Sequence, residues 1–433
     1  MKKRLIQLVA GAVMGVLRSI DRIVNGSVSP LSVGEIAADP YEAYRIGRER
    51  GAILRSFSNR GWLVLGFEEA QALFKDTRFS SDVRTNKFLS GVIRAASDGR
   101  KVSLLDDPTM LNQDPPVHTR LRKLVTHGFM HNYILSLEPR IEDIVDKCLD
   151  DYDAGSGQYD IVKLLAEPLP AIVIAEMLGL PQKDLPRFQE LSHRLLGLTD
   201  IGDDKKMQEG TLANEELVDY FKEIIEEKRK SPSQDLIGML IEAEEEGDRL
   251  TSEEMYSTCI LLLVAGHETT TRLIANGMYT LLQHQDQLQM LMKDKDLTPN
   301  AVEEMLRFEP PVQLMPRYVQ KNIEFFGKKM KKNQMVVSII GSANRDPLAN
   351  KNPDTFDITR EKVTHVSFGH GIHLCLGMNL ARLEAKVAIN KLLERFPHMS
   401  LADQEINWTG TPLVRGVERL LIDVNESEIL ATA

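Results

Sequence analysis

The chain is 433 residues long and carries 53 Lys and Arg against 63 Asp and Glu, a formal net charge of −10. With 42% hydrophobic and 27% charged residues it has the composition of an ordinary globular protein, and without a basic run built for phosphate contacts it points away from nucleic acid. Its three cysteines, Cys148, Cys259 and Cys375, are too few and too scattered for a disulfide framework and fit a reducing cytosol, where a lone cysteine is a ligand, a nucleophile or core filler.

The first 23 residues differ from the rest. Apolar residues at 5, 8, 9, 12, 13, 16, 17, 20 and 23 form a helical stripe. Lys2, Lys3, Arg4, Arg18 and Arg22 against Asp21 give a local charge of +4, which leaves −14 for the remainder. The apolar stretch ends at Arg18, too short to span a bilayer. An interfacial amphipathic helix, a helix packed on its own domain and a secretory signal all remain open, although no small-x-small cleavage site follows. The expected organisation is a segment of residues 1–29 followed by one domain of residues 30–433.

Strand patterns are few. Ile53–Phe57 and Trp62–Leu65 flank a turn at Ser58 to Gly61, and Ile323–Phe326 and Met335–Ile340 flank a Lys-rich turn. Helical patterns dominate elsewhere. The longest helix starts at Thr251, where Glu254 completes a capping box. Another begins at Thr298-Pro299, a cap followed by proline at the first helical position, and ends before Pro310-Pro311. The last opens just after Cys375 and is halted by Pro397. The fold class expected is mainly α with small β-sheets, in a single domain.

Residues 368–377 read FGHGIHLCLG. The glycines allow a tight turn and close approach of a flat ligand to the backbone. Cys375 lies where a helix N-terminus is expected, and free amides and the helix dipole there are expected to lower its pKa. The loop therefore presents a thiolate to a metal or to an electrophile. His365, His370, His373 and Cys375 could hold zinc, but their spacing matches no structural zinc pattern.

This loop resembles the haem-binding signature of the cytochrome P450 family. Ala265-Gly266-His267-Glu268-Thr269-Thr270 in the long helix, Glu304-Met305-Leu306-Arg307, and Phe356-Asp357-Ile358-Thr359-Arg360 follow the family's order, and the resemblance spans roughly residues 35 to 425. It implies the cytochrome P450 fold, with haem b between the long central helix and the helix after the cysteine loop. Cys375 is then the axial ligand of haem iron, Phe368 covers the sulfur, and Gly377 and neighbouring amides tune it. His118, Arg122, Arg317 and His373 are implied to bind the propionates. Glu304, Arg307 and Arg360 are implied to form a buried network holding the loop before Cys375. Glu268 and Thr269 are implied to be the acid–alcohol pair that passes protons to dioxygen, with Gly266 letting the helix pass close to the cofactor and His267 a spacer facing away. Cys148 and Cys259 are expected in the core.

The activity implied is a haem-thiolate monooxygenase acting on a small, lipophilic molecule by hydroxylation, epoxidation or demethylation. A peroxide-driven haem enzyme and a non-catalytic haem binder are the alternatives. The sequence has no dinucleotide fingerprint and no length left for a flavin module, so a separate ferredoxin and ferredoxin reductase, fed by NAD(P)H, are implied. Phe88, Leu89, Val92, Ile93, Leu104 and Leu105, within residues 84–112, are expected to line the substrate pocket with residues 187–222, and Val312, Gln313, Leu314 and Met315 to approach the haem's distal face. A monomer in the cytoplasm is expected, with residues 1–23 as a peripheral contact to the inner membrane.

Overall fold

The computed structural model describes residues 19, 21, 39–58, 60–151, 157–200, 203–231, 233–245, 250–410 and 413–424. The N-terminal amphipathic segment lies outside these, apart from Ser19 and Asp21. Asp21 is fully buried and accepts hydrogen bonds from Phe57 N (2.8 Å), Ser58 N (2.9 Å) and Ser56 Oγ (3.2 Å).

The main sheet has five strands. Ile53–Ser56 pairs antiparallel with Gly61–Val64, which runs parallel to Met335–Ile339. Leu314–Val319 lies antiparallel on the other side of Met335–Ile339, and Phe79–Ser80 closes the edge. The period-2 alternation of strand side chains divides this sheet between two cores. Leu54, Leu63, Leu65, Val337 and Ile339 pack with Tyr44 on one face, and Ile53, Val64, Phe79, Val319 and Val336 pack with Leu73 and Phe74 on the other.

One strand pairing departs from expectation. Ile323–Phe325 does not pair with Met335–Ile339 but folds back on Lys328–Met330. Phe326 and Gly327 both have positive φ (45° and 71°), the geometry of a tight two-residue hairpin turn. The Lys-rich stretch is therefore partly a strand, and Met335–Ile339 is free to take the buried centre of the main sheet.

The central helix, Ser252–Gln283, is 32 residues long, or roughly 48 Å at 1.5 Å per residue. Its N-terminus is closed by the expected capping box, with Thr251 Oγ1 accepting from Glu254 N and Glu254 Oε2 accepting from Thr251 N. Apolar side chains cover it on all sides, as a helix through a core requires. It packs on Pro168–Leu178, on Asp204–Lys230, on Thr298–Phe308 and on the last long helix, Met378–Arg395. The burial has one gap. Ala265 is exposed and Gly266 and Thr269 are half-buried, between turns that are buried throughout. A hollow therefore meets the middle of this helix. Among the described residues, no helix is long and apolar enough to cross a membrane.

Candidate active site

The cysteine loop is built by backbone turns. Gly369 and Gly371 take φ of +70° and +71°, which L side chains adopt only with strain. A Cβ on Gly371 would also lie 2.6 Å from the Phe74 carbonyl oxygen. Cys375 N donates to Phe368 O (2.9 Å), closing the loop. Two side chains anchor its start: Ser367 Oγ donates to Leu306 O (2.7 Å), and Asn344 Oδ1 accepts from Val366 N (2.9 Å). Phe368 is sandwiched by the loop and the Arg382 guanidinium, 4.6 Å from its ring centroid.

Cys375 is reachable by solvent although protein surrounds it on most sides, as expected of a side chain that lines an internal hollow. Burial pushes its thiol pKa up, while the Gly377 amide, Arg122 and Arg382 pull it down and lose. The expected lowering is thus outweighed: the helix begins at Met378 with Gly377 as its cap, and the amide of that cap pulls the thiol down less than burial pushes it up. Cys148 and Cys259 are buried, with thiols pushed up to about 11 and about 12 by burial.

Beside this loop lies a group of donors short of negative charge. His118 and Arg122 share a face of the helix Val117–Thr126. Arg122 Nη2 donates to Leu374 O (2.7 Å), next to Cys375. His118 is buried, neither ring nitrogen has a hydrogen-bond partner among the described residues, and its ring centroid is 4.3 Å from that of His373. His373 Nε2 meets Ser81 Oγ at 2.9 Å. Arg317 is buried, donates to Pro316 O (2.8 Å), and lies over the Phe74 ring. Burial lowers the pKa of each: His118, Arg122, Arg317 to about 10, and His373 to about 3. Asp114 acts against the shift at His118 and Arg317 and is outweighed.

Glu304, Arg307 and Arg360 form a closed unit. Arg307 grips Glu304 with two bonds of 2.7 Å, and both side chains have no exposed surface. Arg360 Nε joins Glu304 at 3.2 Å. Arg307 also donates to Pro353 O (2.7 Å) and Thr355 O (3.0 Å), so the unit fixes residues 353–360 directly. The start of the cysteine loop is held by a neighbour that sequence reading missed. Glu303 accepts from Arg382 (2.6 Å) and meets His365 Nε2 at 3.1 Å. Burial alone would raise the Glu303 carboxyl, but the bonds from His365 and Arg382 hold it at about 2. The adjacent pair Glu303-Glu304 on one helix was the available signal.

The central helix separates Glu268 from Thr269. Glu268 is buried and ion-paired with Arg272 (3.3 Å), whereas Thr269 Oγ1 donates to Ala265 O (2.9 Å). The two side chains do not meet, because successive residues on a helix point about 100° apart. Thr271 likewise bonds back to His267 O (3.1 Å), and such bonds loosen and bend a helix. Gly266 has a packing contact that sequence reading did not foresee. A Cβ there would lie 3.1 Å from Ile174 Cγ1, so the missing side chain admits the helix Pro168–Leu178. His267 is buried against Glu167. Glu384, on the last helix, is buried beside Thr270, and burial holds its carboxyl far above the usual range.

Other expected residues divide. Leu89, Val92, Ile93, Leu104 and Leu105 are half-buried, but Phe88 is exposed, with the Arg60 guanidinium 4.7 Å from its ring centroid. Gln313 and Leu314 are engaged around Tyr44: Gln313 bonds Tyr44 and Pro310, and Leu314 packs beside Tyr44. Among the described residues no three His, Cys, Asp or Glu side chains converge as metal ligands. A surface cleft of about 460 Å³ between Arg45, Arg48, Asp346 and Asp354 contains none of the site residues.

The family model "Cytochrome P450" matches residues 98–414. The chain is 39% identical to the biotin biosynthesis cytochrome P450 of Bacillus subtilis (strain 168), over 90% of this chain and 98% of that protein. It is 39% identical to the cytochrome P450 monooxygenase PikC of Streptomyces venezuelae, over 90% of this chain and 92% of that one. The crystal structure of P450BioI in complex with an acyl carrier protein ligated to hexadec-9Z-enoic acid superposes with a TM-score of 0.81 at 38% identity, over 90% of this chain and all of that one. The chain belongs to the bacterial-type cytochrome P450 family, whose members are haem-iron oxidoreductases that use dioxygen.

Proposed function

We propose that this cytochrome P450 inserts one atom of dioxygen into a small lipophilic molecule, by hydroxylation, epoxidation or demethylation. Its electrons start at NAD(P)H and arrive through a ferredoxin reductase and a ferredoxin. The observation that carries the reading is the starved donor group beside an accessible cysteine. His118 is buried with both ring nitrogens unbonded among the described residues, next to His373, Arg317 and Arg122, and Arg122 bonds the carbonyl adjacent to Cys375. Unpartnered buried polar atoms cost free energy unless a ligand satisfies them.

Haem b fits that demand. Cys375 Sγ would hold the iron, with Gly377 and Phe368 around the sulfur, and the two propionates would be received by His118, Arg122, Arg317 and His373. The bound group supplies dioxygen activation, with a thiolate ligand favouring O–O cleavage. The chain supplies the rest. Arg122 and Arg317 offset the charge of the propionates, and the half-buried Leu89, Val92, Ile93, Leu104 and Leu105 offer an apolar wall. Glu304, Arg307 and Arg360 keep the approach to the loop rigid.

Thr269 and Glu268 handle protons. The Thr269 hydroxyl donates to Ala265 O and keeps acceptor sites free, so it can receive a proton and pass on its own. The Glu268 carboxylate faces Arg272, so its link to Thr269 would need a bridging water. Arg272 sets where the carboxylate rests.

The test reconstitutes the full chain with a ferredoxin, its reductase and NADPH, using molecules that shift the haem spectrum in a lipophilic library. Product formation that requires dioxygen, NADPH and ferredoxin is expected. Thr269→Ala is expected to keep consuming electrons while releasing peroxide in place of product. Turnover with peroxide but none with the redox partners would overturn the reading, as would unchanged product per electron in Thr269→Ala for the role of Thr269.

Residues 1–29 we read as a segment apart from the haem domain of residues 30–433, acting on a monomer at the cytoplasmic face of the inner membrane. The +4 apolar stripe supports reversible attachment to anionic lipid, and the Asp21 bonds to the 56–58 turn support a tether to the domain. Salt-sensitive co-sedimentation with anionic vesicles, lost on removal of residues 1–23, is expected; equal sedimentation of both forms at every salt concentration would refute attachment.

A further inference from the structure

We propose that the lysine-rich hairpin of residues 321–334 is a docking surface whose occupant is an anionic lipid bilayer, with Phe326 entering the headgroup region. The choice of partner rests on the reading of residues 1–23 as a lipid contact, and the hairpin adds a second contact made by the domain itself.

Lys321, Lys328, Lys329, Lys331 and Lys332 stand against a single carboxylate, Glu324, a local charge of +4 in a chain of net charge −10. All five lysines are exposed, and none is ion-paired with a carboxylate among the described residues. Lys321 acts on Asp76, but Arg78 already bonds that carboxylate at 2.9 Å. Glu324 lies across the hairpin from Lys329 and is exposed. The hairpin keeps its shape without the ammonium groups. Lys331 N donates to Gln334 Oε1 and Lys332 N to Asn322 Oδ1, both at 2.9 Å, and Asn333 takes φ of +68°. Main-chain amides and the side chains of Asn322 and Gln334 thus close the turn. The crowded like charges repel one another, and an external anionic surface offsets that repulsion.

The tip of the hairpin is Phe326-Gly327. Phe326 is 46% exposed and takes φ of +45°, a backbone region that favours Gly, Asn or Asp and is costly for a bulky side chain. An aromatic ring at this position is therefore disfavoured both by its backbone and by water. Beneath it Phe325 is buried against Phe79, with ring centroids 5.1 Å apart, and its ring is 4.9 Å from that of Phe326. The tip is thus anchored to the core. An anchored apolar tip among flexible cations matches the layering of a membrane surface, with phosphates outside and acyl chains below. Lysine is a hydrated point charge on a flexible stem and suits a diffuse field, whereas a partner's fixed carboxylates are better gripped by the planar fork of arginine.

The main sheet places this hairpin beside the tether of residues 1–23. Gly61–Val64 and Met335–Ile339 run parallel. The residues just before them, Phe57, Ser58 and Arg60 on one side and Lys331 to Gln334 on the other, therefore lie at one end of the sheet. Gln334 Oε1 joins the two, accepting from Trp62 Nε1 (2.9 Å) as well as from Lys331 N. Asp21 bonds Phe57 N and Ser58 N at this same end, and the Phe57 ring is exposed there. Two segments of charge +4, far apart in sequence, are thus fastened to one end of an otherwise acidic molecule. That shared placement favours one extended anionic partner over two small ones.

The test is co-sedimentation of the full-length haem-loaded chain with vesicles of mixed phosphatidylglycerol and phosphatidylcholine, or of phosphatidylcholine alone, at low and high salt. One variant carries Lys328→Gln, Lys329→Gln, Lys331→Gln and Lys332→Gln, and a second carries Lys2→Gln, Lys3→Gln and Arg4→Gln. Removing the four hairpin charges is expected to weaken association with the anionic vesicles at low salt by about tenfold or more, with thermal stability and the reduced carbon-monoxide spectrum retained. Phe326→Trp is expected to add, over the parent, an emission that shifts to the blue on the anionic vesicles and is quenched by brominated lipid. If the hairpin variant binds like the parent while the N-terminal variant does not, the hairpin surface is refuted and residues 1–23 stand as the contact. If the hairpin variant loses binding while the N-terminal variant keeps it, the hairpin surface stands and the role of residues 1–23 falls. Equal binding to both kinds of vesicle, or a Phe326→Trp emission that anionic vesicles leave unmoved, would overturn the proposal. Capture by polyglutamate with no binding to vesicles would overturn it too, in favour of an acidic protein partner.

Discussion

Two groups of polar side chains, one holding the stretch that leads to the cysteine loop and one beside and within that loop, are satisfied to different degrees. In Glu304, Arg307 and Arg360 the carboxylate carries both guanidinium groups, and the remaining Arg307 donors reach main-chain carbonyls. In the other group His118 and Arg317 are buried and His373 and Arg122 half-buried, and the partners are one hydroxyl and main-chain carbonyls, with no carboxylate bonded among the described residues. A buried charge that is fully paired has done its work when the chain folds. A buried donor that is not paired has work left for a ligand. The first group belongs to the stability of the protein, the second to what the protein binds.

The contrast can be broken most sharply at Cys375, which belongs with the open group. Cys375→Ala is expected to abolish the red-shifted Soret band of the reduced, carbon-monoxide-bound protein, while Cys148→Ala and Cys259→Ala keep it. A normal band in the Cys375 variant would sever the cysteine loop from the open group.

The closed group is expected to respond in stability. Glu304→Ala leaves Arg307 and Arg360 buried without their counter-charge, a loss of about 3–5 kcal/mol, read from denaturant unfolding. A loss below about 1 kcal/mol would mean that the backbone carbonyls alone satisfy both arginines.

Acid sharpens the same boundary. Glu303 is held at about 2, below its ordinary 4.5, by His365 and Arg382. A carboxyl depressed in the folded state adds stability above its unfolded pKa and loses it as pH falls through the folded one. This contribution, on the order of 1–3 kcal/mol, is therefore expected to be intact above about pH 4.5 and to disappear towards pH 2. Glu303→Gln should flatten that part of the stability profile. Parallel profiles for the two proteins would remove Glu303 from the closed side.

The smallest effect is expected at Arg317. Arg317→Leu should weaken haem binding about tenfold, roughly 1.4 kcal/mol, without destabilising the apoprotein, since it removes a cation that burial disfavours. Apoprotein loss as large as that of Glu304→Ala would erase the distinction between the groups.

Much of this molecule is written locally. Thr251 and Glu254 announce the start of the central helix because a capping box needs only four consecutive residues. The glycines around Cys375 announce the turn because positive φ is a property of one residue. Helix spacing alone places Glu304 beside Arg307 and His118 on the face of Arg122. Boundaries slipped where neighbours competed: Thr298 is the first helical residue and not the cap, since its hydroxyl bonds Lys295 O and Asn390.

What spacing could not decide is which partner each side chain finds across the fold. Glu268 and Thr269 are adjacent in sequence, yet one turns to Arg272 and the other to Ala265. Gly266 answers to Ile174, more than ninety residues away. Cys375 reads as a helix-end thiol, but burial, a property of the whole enclosure, sets its acidity. The amino-acid sequence by itself determined the elements, the turns and the residue types that chemistry requires. Tertiary packing decided which charges are paired and which are left open, because desolvation and pairing depend on every element that closes around a group, and those elements come from distant parts of the chain.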